Sequence, residues 1–380
     1  MSVAPVLQLL ADLVRINSVN SSYEGGPGEA EIAAFVKRFF EVCEIAVSEQ
    51  EVFPGRPNIL ARLPGRNRER CLVLEAHTDT VSTKGMTIAP FEPRIEDGKL
   101  FGRGSCDTKA GLACMMEAIA SLKAEGITPP CDVLLAAAVD EEYSYRGVVK
   151  LCEGLQADGA IVAEPTELRC VIATKGVLRW RIRVHGRASH SSRPHLGINA
   201  ISHMARIILA LEEDSDRNMN HVHPLLGPPT CNVGVIQGGV QVNFVPDQCV
   251  IEIDRRLLPG ETVPAVLTHY QGILDGLKTR FSDLDARMEE PMLTDEALET
   301  SVDAGVVQTA TAVLRAMDLD DRPCGVPFGC DASKLSRAGI PSIVFGPGSI
   351  DRAHAAVEYV EIDQVERALD FYRRTILAFE

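Results

Sequence analysis

The stretch VLLAAAVDEE at residues 133–142 is the clearest indication of the fold. Its first seven residues are all apolar, as in a strand that is buried on both faces, and three carboxylates follow them. Residues 71–76 and 159–163 form two more short, mostly apolar runs that are bounded by polar residues. Strands of this kind occur in largely parallel sheets that are covered by helices, so this part of the chain predicts an α/β domain.

Helical patterns alternate with these strands along the chain. Their apolar residues recur three and four positions apart, which is typical of amphipathic helices. The predicted helices cover residues 6–16, 29–43, 109–125 and 303–317, with a last helix from Ile362 onward. A further buried strand is predicted over residues 341–345. The alternation of strands and helices at both ends of the chain predicts that these ends belong to one domain.

The pattern changes between about residues 175 and 290. Polar and apolar residues alternate over residues 177–184, which predicts a strand with one solvated face. The elements predicted after it are a helix at 197–211, strands at 231–237 and 249–256, a helix at 263–281 and a strand at 284–288. This β-α-β-β-α-β order predicts a ferredoxin-like α+β unit. We therefore expect a catalytic domain in two segments, 1–174 and 291–380, interrupted by a lid-like domain over 175–290.

Composition excludes several classes of protein. The chain has 380 residues, a formal net charge of −15, 46% hydrophobic residues and 24% charged residues. The acidic balance argues against nucleic-acid and membrane partners, since both select basic surfaces. No apolar stretch approaches the ~20 residues of a membrane-spanning helix, and the N-terminus does not resemble a signal peptide. The 11 scattered cysteines include no C-x-x-C pair. We therefore expect a cytoplasmic enzyme.

Acidic residues and histidines follow the buried strands. They are His77, Asp79, Asp107, Glu141, Glu142, Glu164 and His354. In open α/β sheets the functional crevice lies at the carboxyl ends of the strands, so these side chains are expected to converge. Each has an ordinary explanation by itself, such as a hydrogen-bonded histidine, a solvated glutamate pair or a turn cap. Together, two histidines and three carboxylates match the ligands of two divalent metal ions that share one carboxylate.

Asp79 lies two residues after His77. From there its carboxylate could accept the second imidazole N–H and fix the tautomer of His77.

These motifs resemble a known family, which includes zinc aminoacylase, carboxypeptidase G, acetylornithine deacetylase and succinyl-diaminopimelate desuccinylase. The residues that carry the resemblance are His77-x-Asp79, Gly102-Arg103-Gly104-x-x-Asp107, Glu141-Glu142, Glu164-Pro165-Thr166 and His354. In the middle unit, residues 186–192, 197–201, 243–247 and 254–256 resemble further motifs of this metallopeptidase family. The resemblance covers nearly the whole chain. Residues 346–350 with Ala353-His354 and Glu358-Tyr359 are most similar to the acetylornithine deacetylase branch.

The resemblance implies a homodimer with two divalent metal ions per active site, zinc foremost and cobalt or manganese as alternatives. Asp107 would bridge the ions, with His77 and Glu164 completing one site and Glu142 and His354 the other. The resemblance also implies a cis peptide bond after Asp107.

Glu141 would act as the general base in the hydrolysis of an N-acyl amino acid. His190 would stabilise the oxyanion in the partner subunit's site, and the middle unit would form the dimer and the lid. Asn243 and Arg256 would hold the substrate carboxylate, although Arg255 is an alternative to Arg256.

Other functions have weaker support in the sequence. Gly102-x-Gly104 could begin a dinucleotide loop, but Asp107 occupies the third glycine position and would repel a pyrophosphate. The chain has no G-x-S-x-G or H-E-x-x-H motif. A dipeptidase or carboxypeptidase of the same family is the principal alternative. A catalytically silent relative is another, and such a protein would be expected to lack a metal ligand or Glu141.

Overall fold

The computed structural model describes residues 4–380, and the chain divides into two units. Of the described residues, the first unit comprises 4–172, Glu299–Cys324 and Cys330–Glu380. The second comprises Ala173–Leu298 together with the short segment Gly325–Gly329. Dimerisation and closure by the second unit stay predictions.

A largely parallel sheet forms the centre of the first unit. Its strands lie in the order Ala46–Phe53, Arg56–Leu63, Cys131–Ala138, Asn67–His77, Gly159–Val162, Ser342–Val344 and Val171–Thr174, followed by Leu298–Glu299. The pairs formed by the middle four strands are parallel. Cys131–Ala138 is buried along its whole length because helices cover both faces of the sheet. The predicted α/β fold is thus confirmed.

The first two strands of the sheet were not predicted. Ala46–Phe53 and Arg56–Leu63 form an antiparallel hairpin, and Arg56–Leu63 also pairs in an antiparallel manner with Cys131–Ala138. This hairpin gives the parallel sheet an antiparallel edge.

The helices of the first unit agree with the sequence prediction to within two residues at each end. The long ones are Pro5–Arg15, Ala30–Val42, Lys109–Ala124, Gly305–Ala316 and Ile362–Ala378. Two short helices, Arg146–Leu151 and Ala332–Arg337, were not predicted. Lys109–Ala124 is buried on most of its circumference, and its first residue follows the Asp107 loop directly. Among the described residues, no helix is long and apolar enough to cross a membrane.

The second unit is an antiparallel sheet with helices packed on one face. The strands lie in the order Thr230–Gly238, Gln248–Leu257, Gly176–His185 and Asp285–Met288, and Leu293–Asp295 also pairs with Gly176–His185. Its helices are Ala200–Asn218 and Val263–Arg280. Trp180, Ile251 and Leu274 are among the buried residues between the sheet and the helices. The elements follow the predicted β-α-β-β-α-β order.

Two smaller sheets complete the fold. Ser189–His190 pairs with Phe244–Val245 in the second unit. Tyr359–Glu361, Lys99–Phe101 and Arg94–Glu96 form a three-stranded sheet in the first unit. In the chain, Tyr359–Glu361 follows His354 and Lys99–Phe101 precedes Asp107. The pairing of these two strands therefore helps to bring His354 and Asp107 together.

Candidate metal centre and active site

Five predicted metal ligands converge beyond the carboxyl ends of the parallel strands. Donor atoms of His77, Asp107 and Glu164 all lie within 4.8 Å of one another, and so do those of Asp107, Glu142 and His354. Asp107 is common to both groups. Its position follows from the loop that joins the strand Lys99–Phe101 to the helix Lys109–Ala124.

The two imidazoles face different oxygens of Asp107. His77 Nε2 lies 3.0 Å from Asp107 Oδ1, and His354 Nε2 lies 3.3 Å from Asp107 Oδ2. His354 Nε2 is also 3.1 Å from Glu142 Oε1, and His77 Nε2 is 4.0 Å from Glu164 Oε1. Each group therefore contains one imidazole and two carboxylates, which is a donor set that divalent zinc, cobalt and manganese accept.

Crowding of carboxylates perturbs the acid–base chemistry of the site. Burial and the nearby Asp107 raise the pKa of Glu142 to about 7, and they raise the pKa of Glu164 well above its ordinary value. Burial also raises the pKa of Glu141 well above its ordinary value. Bonds to Asp107 and Glu142 raise the pKa of His354 to about 10. A buried cluster of this kind is unfavourable without compensating positive charge, so the residues fit divalent cations.

Glu141 and Glu142 reach one site because the strand that precedes them has already ended. Cys131–Ala138 stops before Asp140, whose φ of 69° turns the chain sharply. Residues in an uninterrupted strand would instead point to opposite faces of the sheet. The turn thus allows adjacent glutamates to serve one centre.

Asp79 contacts a different group from the one that its sequence position suggested. His77 Nδ1 lies 3.0 Å from the backbone oxygen of Asp79 and 3.6 Å from the Asp79 carboxylate. The carboxylate instead accepts hydrogen bonds from the backbone N–H groups of Glu141 and Glu142, both at 3.1 Å. Asn20 Nδ2 donates a third bond at 2.8 Å. Asp79 therefore anchors the Glu141–Glu142 loop.

Behind Asp79 lies a buried polar network that the sequence did not predict. Asn20 also donates to Asp140, and Glu29 accepts hydrogen bonds from the backbone N–H of Asp140 and from Arg56. Arg56 supplies positive charge close to Glu29 and Asp140. These residues are far apart in sequence and lie in polar segments, so no local pattern distinguishes them from surface residues.

The Asp107 loop contains two further features next to the site. The peptide bond between Asp107 and Thr108 is cis, as the resemblance implies. Lys109 is fully buried and donates from Nζ to the carbonyl of Ile16 at 2.8 Å. Burial lowers the pKa of Lys109 to about 7. Lys109 thus ties the start of its helix to the end of the first helix of the chain.

The other predicted site residues belong to the second unit. His190 is paired with Phe244, next to Asn243, in the two-stranded sheet. The backbone N–H of Ser192 lies 3.2 Å from His190 Nδ1, and the Ser192 hydroxyl lies 2.7 Å from the same nitrogen.

Arg255 and Arg256 point to opposite faces of the antiparallel sheet. Arg255 is buried on the helix-covered face and donates to Tyr270 and Glu261. Arg256 lies on the other face, where its Nε donates to Asp254 at 2.8 Å. Of the two arginines, Arg256 is therefore the one that remains partly exposed.

The helix-covered, largely parallel sheet with imidazole and carboxylate groups at its carboxyl edge defines a class of metal-dependent hydrolases. Residues 73–378 match the family described as Peptidase family M20/M25/M40, and the chain belongs to this family. The protein is accordingly a metal-dependent hydrolase that acts on amide bonds.

Individual relatives agree with this placement. The chain is 33% identical to an acetylornithine deacetylase of Myxococcus xanthus, over 85% of this chain and 84% of the relative. It is 30% identical to a peptidase M20 domain-containing protein of Schizosaccharomyces pombe, over 98% of this chain and 84% of the relative. Among solved structures, an aminopeptidase PepT of Bacillus cereus is similar in fold, with a TM-score of 0.82 at 22% identity, covering 99% and 98% of the two chains.

Proposed function

We propose that the protein removes the acyl group from an N-acyl amino acid and uses two divalent metal ions, zinc foremost. The observation that carries this proposal is the pair of donor groups that share Asp107, beside a half-buried glutamate that belongs to neither group. That glutamate is Glu141. Similarity to an acetylornithine deacetylase supports the choice of substrate class.

Glu141 would move the proton during amide hydrolysis. Metal ions at the two donor groups would supply Lewis-acid activation of water and of the acyl carbonyl. Glu141 would accept a proton as the water oxygen bonds to the carbonyl carbon, and would deliver it to the nitrogen as the C–N bond breaks. The products are a carboxylate and an amine. The anchored backbone of Glu141 and the partial burial of the residue support this role, since both favour a base held in one position.

His190 would donate a hydrogen bond to the oxyanion in the partner subunit's active site. The contacts with Ser192 support this role because both involve Nδ1, so Nε2 is the nitrogen that would face an oxyanion. Arg256, with Asn243, would bind the carboxylate of the substrate. The partly exposed position of Arg256 supports this choice over Arg255, which is buried against Tyr270 and Glu261.

A homodimer formed through the second unit would supply the partner's His190. Thr230–Gly238 is an edge strand of the antiparallel sheet, and it exposes apolar side chains that include Val235 and Ile236. Long apolar edge strands are generally paired or covered in native proteins. A second copy of the same strand could pair with it in an antiparallel manner, which is the self-complementary contact that a two-fold dimer requires.

Peptide hydrolysis, as a dipeptidase or a carboxypeptidase, is the alternative activity, and the 30% identity to a peptidase M20 domain-containing protein supports a peptidase in general. A catalytically silent relative is less well supported. All five proposed ligands and Glu141 are present, and the ligands converge in two groups.

The substitution Glu141→Gln tests the proposal. Glutamine preserves the size of the side chain but cannot accept the proton, so turnover should fall at least ~100-fold while both metal ions remain bound. Zinc-loaded wild-type and variant proteins would be assayed with N-acetylornithine, N-succinyl-diaminopimelate and simple dipeptides. Glu69→Gln, an exposed matched substitution, serves as the control.

Three results would contradict parts of the proposal. Undiminished turnover by Glu141→Gln would refute the role of Glu141. Turnover of dipeptides without turnover of either acyl amino acid would establish the alternative. If the wild-type protein bound zinc but hydrolysed none of these compounds, the substrate class would be wrong.

A further inference from the structure

One buried carboxylate, Glu358, joins the segment of His354 to the loop of Asp107. Its side chain accepts four hydrogen bonds from this loop. Oε2 accepts from Arg103 Nη1 at 2.6 Å and from the backbone N–H of Gly104 at 3.0 Å. Oε1 accepts from the backbone N–H groups of Cys106 at 3.0 Å and Asp107 at 3.1 Å. Glu358 is 0% exposed, so water does not compete for these bonds.

The backbone and the arginine extend this contact. The carbonyl of Glu358 accepts from the backbone N–H of Gly102 at 3.1 Å. Arg103 is also buried, and its Nη2 donates to the carbonyl of Ser82 at 3.0 Å. Movement of the Glu358 carboxylate away from the loop would leave its four buried donors unpaired, so these bonds favour the observed arrangement.

We propose that Glu358 is a positioning residue that holds Asp107 and His354 in binding geometry before a metal ion arrives. Glu358 bonds directly to the backbone of Asp107, and it lies four residues after His354 in the chain. The result is that His354 Nε2 and Asp107 Oδ2 lie 3.3 Å apart. The inference rests on the metal-ligand roles in the proposed function.

The two donor groups differ in their dependence on Glu358. The group of Asp107, Glu142 and His354 draws two of its members from the segments that Glu358 joins. The group of His77, Asp107 and Glu164 draws only one member from them. Loss of Glu358 should therefore weaken metal binding at the first of these groups more than at the second.

Glu358→Gln is the substitution that tests this inference. Glutamine has similar size but only one acceptor oxygen, so its NH₂ group would face two donors of the Asp107 loop. Calorimetric titration of metal-free protein with Zn²⁺ should show one of two sites weakened by about 10- to 100-fold, the usual effect of losing a residue that orients ligands. Glu366→Gln, an exposed substitution on the last helix, should bind as the wild type does. Two sites of wild-type affinity in Glu358→Gln would overturn the inference.

Hydrogen exchange of the wild-type protein gives a second test that does not depend on the folding of a variant. If Glu358 holds the loop without metal, the amides of Gly104, Cys106 and Asp107 should be protected in metal-free protein and gain little protection from Zn²⁺. Rapid exchange that is suppressed only by Zn²⁺ would mean that the metal orders the loop, and would refute the inference. Absence of Zn²⁺ binding by the wild type would instead refute the proposed function, so the two failures are distinguishable.

Discussion

Replacing Asp79 with asparagine separates two roles for this residue, which are to anchor the Glu141–Glu142 loop and to orient His77. The carboxylate accepts from the backbone N–H of Glu141 on Oδ1, and from Glu142 and Asn20 on Oδ2. Asparagine has a single acceptor oxygen. With that oxygen at the Oδ2 position, Glu142 and Asn20 keep their bonds, and the new NH₂ group faces the N–H of Glu141.

The opposite orientation of the new amide is less favourable because it would lose two bonds. Asn20 cannot compensate by turning its own amide, since its oxygen accepts from the backbone N–H of Ser22 at 2.9 Å and its nitrogen also donates to Asp140. The expected loss is therefore one buried hydrogen bond, at Glu141. A buried donor left without a partner costs about 1–3 kcal/mol. If this whole free-energy cost destabilises the transition state relative to the ground state, the rate falls about 5- to 150-fold.

The assay measures turnover, zinc stoichiometry and thermal unfolding of Asp79→Asn beside the exposed control Asp303→Asn. The backbone oxygen of Asp79, which lies 3.0 Å from His77 Nδ1, is unchanged by the substitution. Zinc affinity should therefore stay near that of the wild type while kcat falls. Loss of zinc with little change in the kcat of the remaining loaded enzyme would show instead that the carboxylate orients His77, and would refute the reasoning.

Two further predictions concern pH and the dimer. In metal-free protein the raised pKa of Glu142, about 7 against an ordinary 4.5, means that the folded state binds this proton more tightly than the unfolded chain. The free energy of unfolding of the metal-free protein should therefore fall as the pH rises from about 4.5 to 7. Because Glu142 must lose its proton to bind a metal ion, the gain in Tm on adding Zn²⁺ should grow over the same range. A gain in Tm that does not depend on pH would contradict this prediction. Mixing inactive His190→Ala with inactive Glu141→Gln should restore part of the activity, because a mixed dimer would have one site with Glu141 and the partner's His190. Absence of recovery, with mixed dimers shown to form, would place the action of His190 outside the partner's site.

The order of the helices and strands could be predicted from the sequence because the signals are local. The apolar run before Asp140 indicates a buried strand whatever the strand's position in the sheet. The periodicity that indicates each helix is likewise contained in residues that are close in sequence. The location of the proposed ligands followed from the same signals, since parallel strands present their carboxyl ends at one edge. The hairpin strand Ala46–Phe53 was missed because none of its residues is buried and it contains four consecutive polar residues at 48–51.

Contacts between distant segments depended on the tertiary structure. Asp79 is two residues from His77 in sequence, yet its carboxylate bonds to an amide 62 residues away. Glu358 contacts the Asp107 loop across 251 residues, and the Glu358-Tyr359 motif does not indicate which groups its carboxylate binds. The orientation of Arg255 and Arg256 likewise depends on which face of the sheet the helices cover. Sequence patterns identify which groups lie at an edge of the sheet, but hydrogen-bond partners depend on distances that only the packed chain defines.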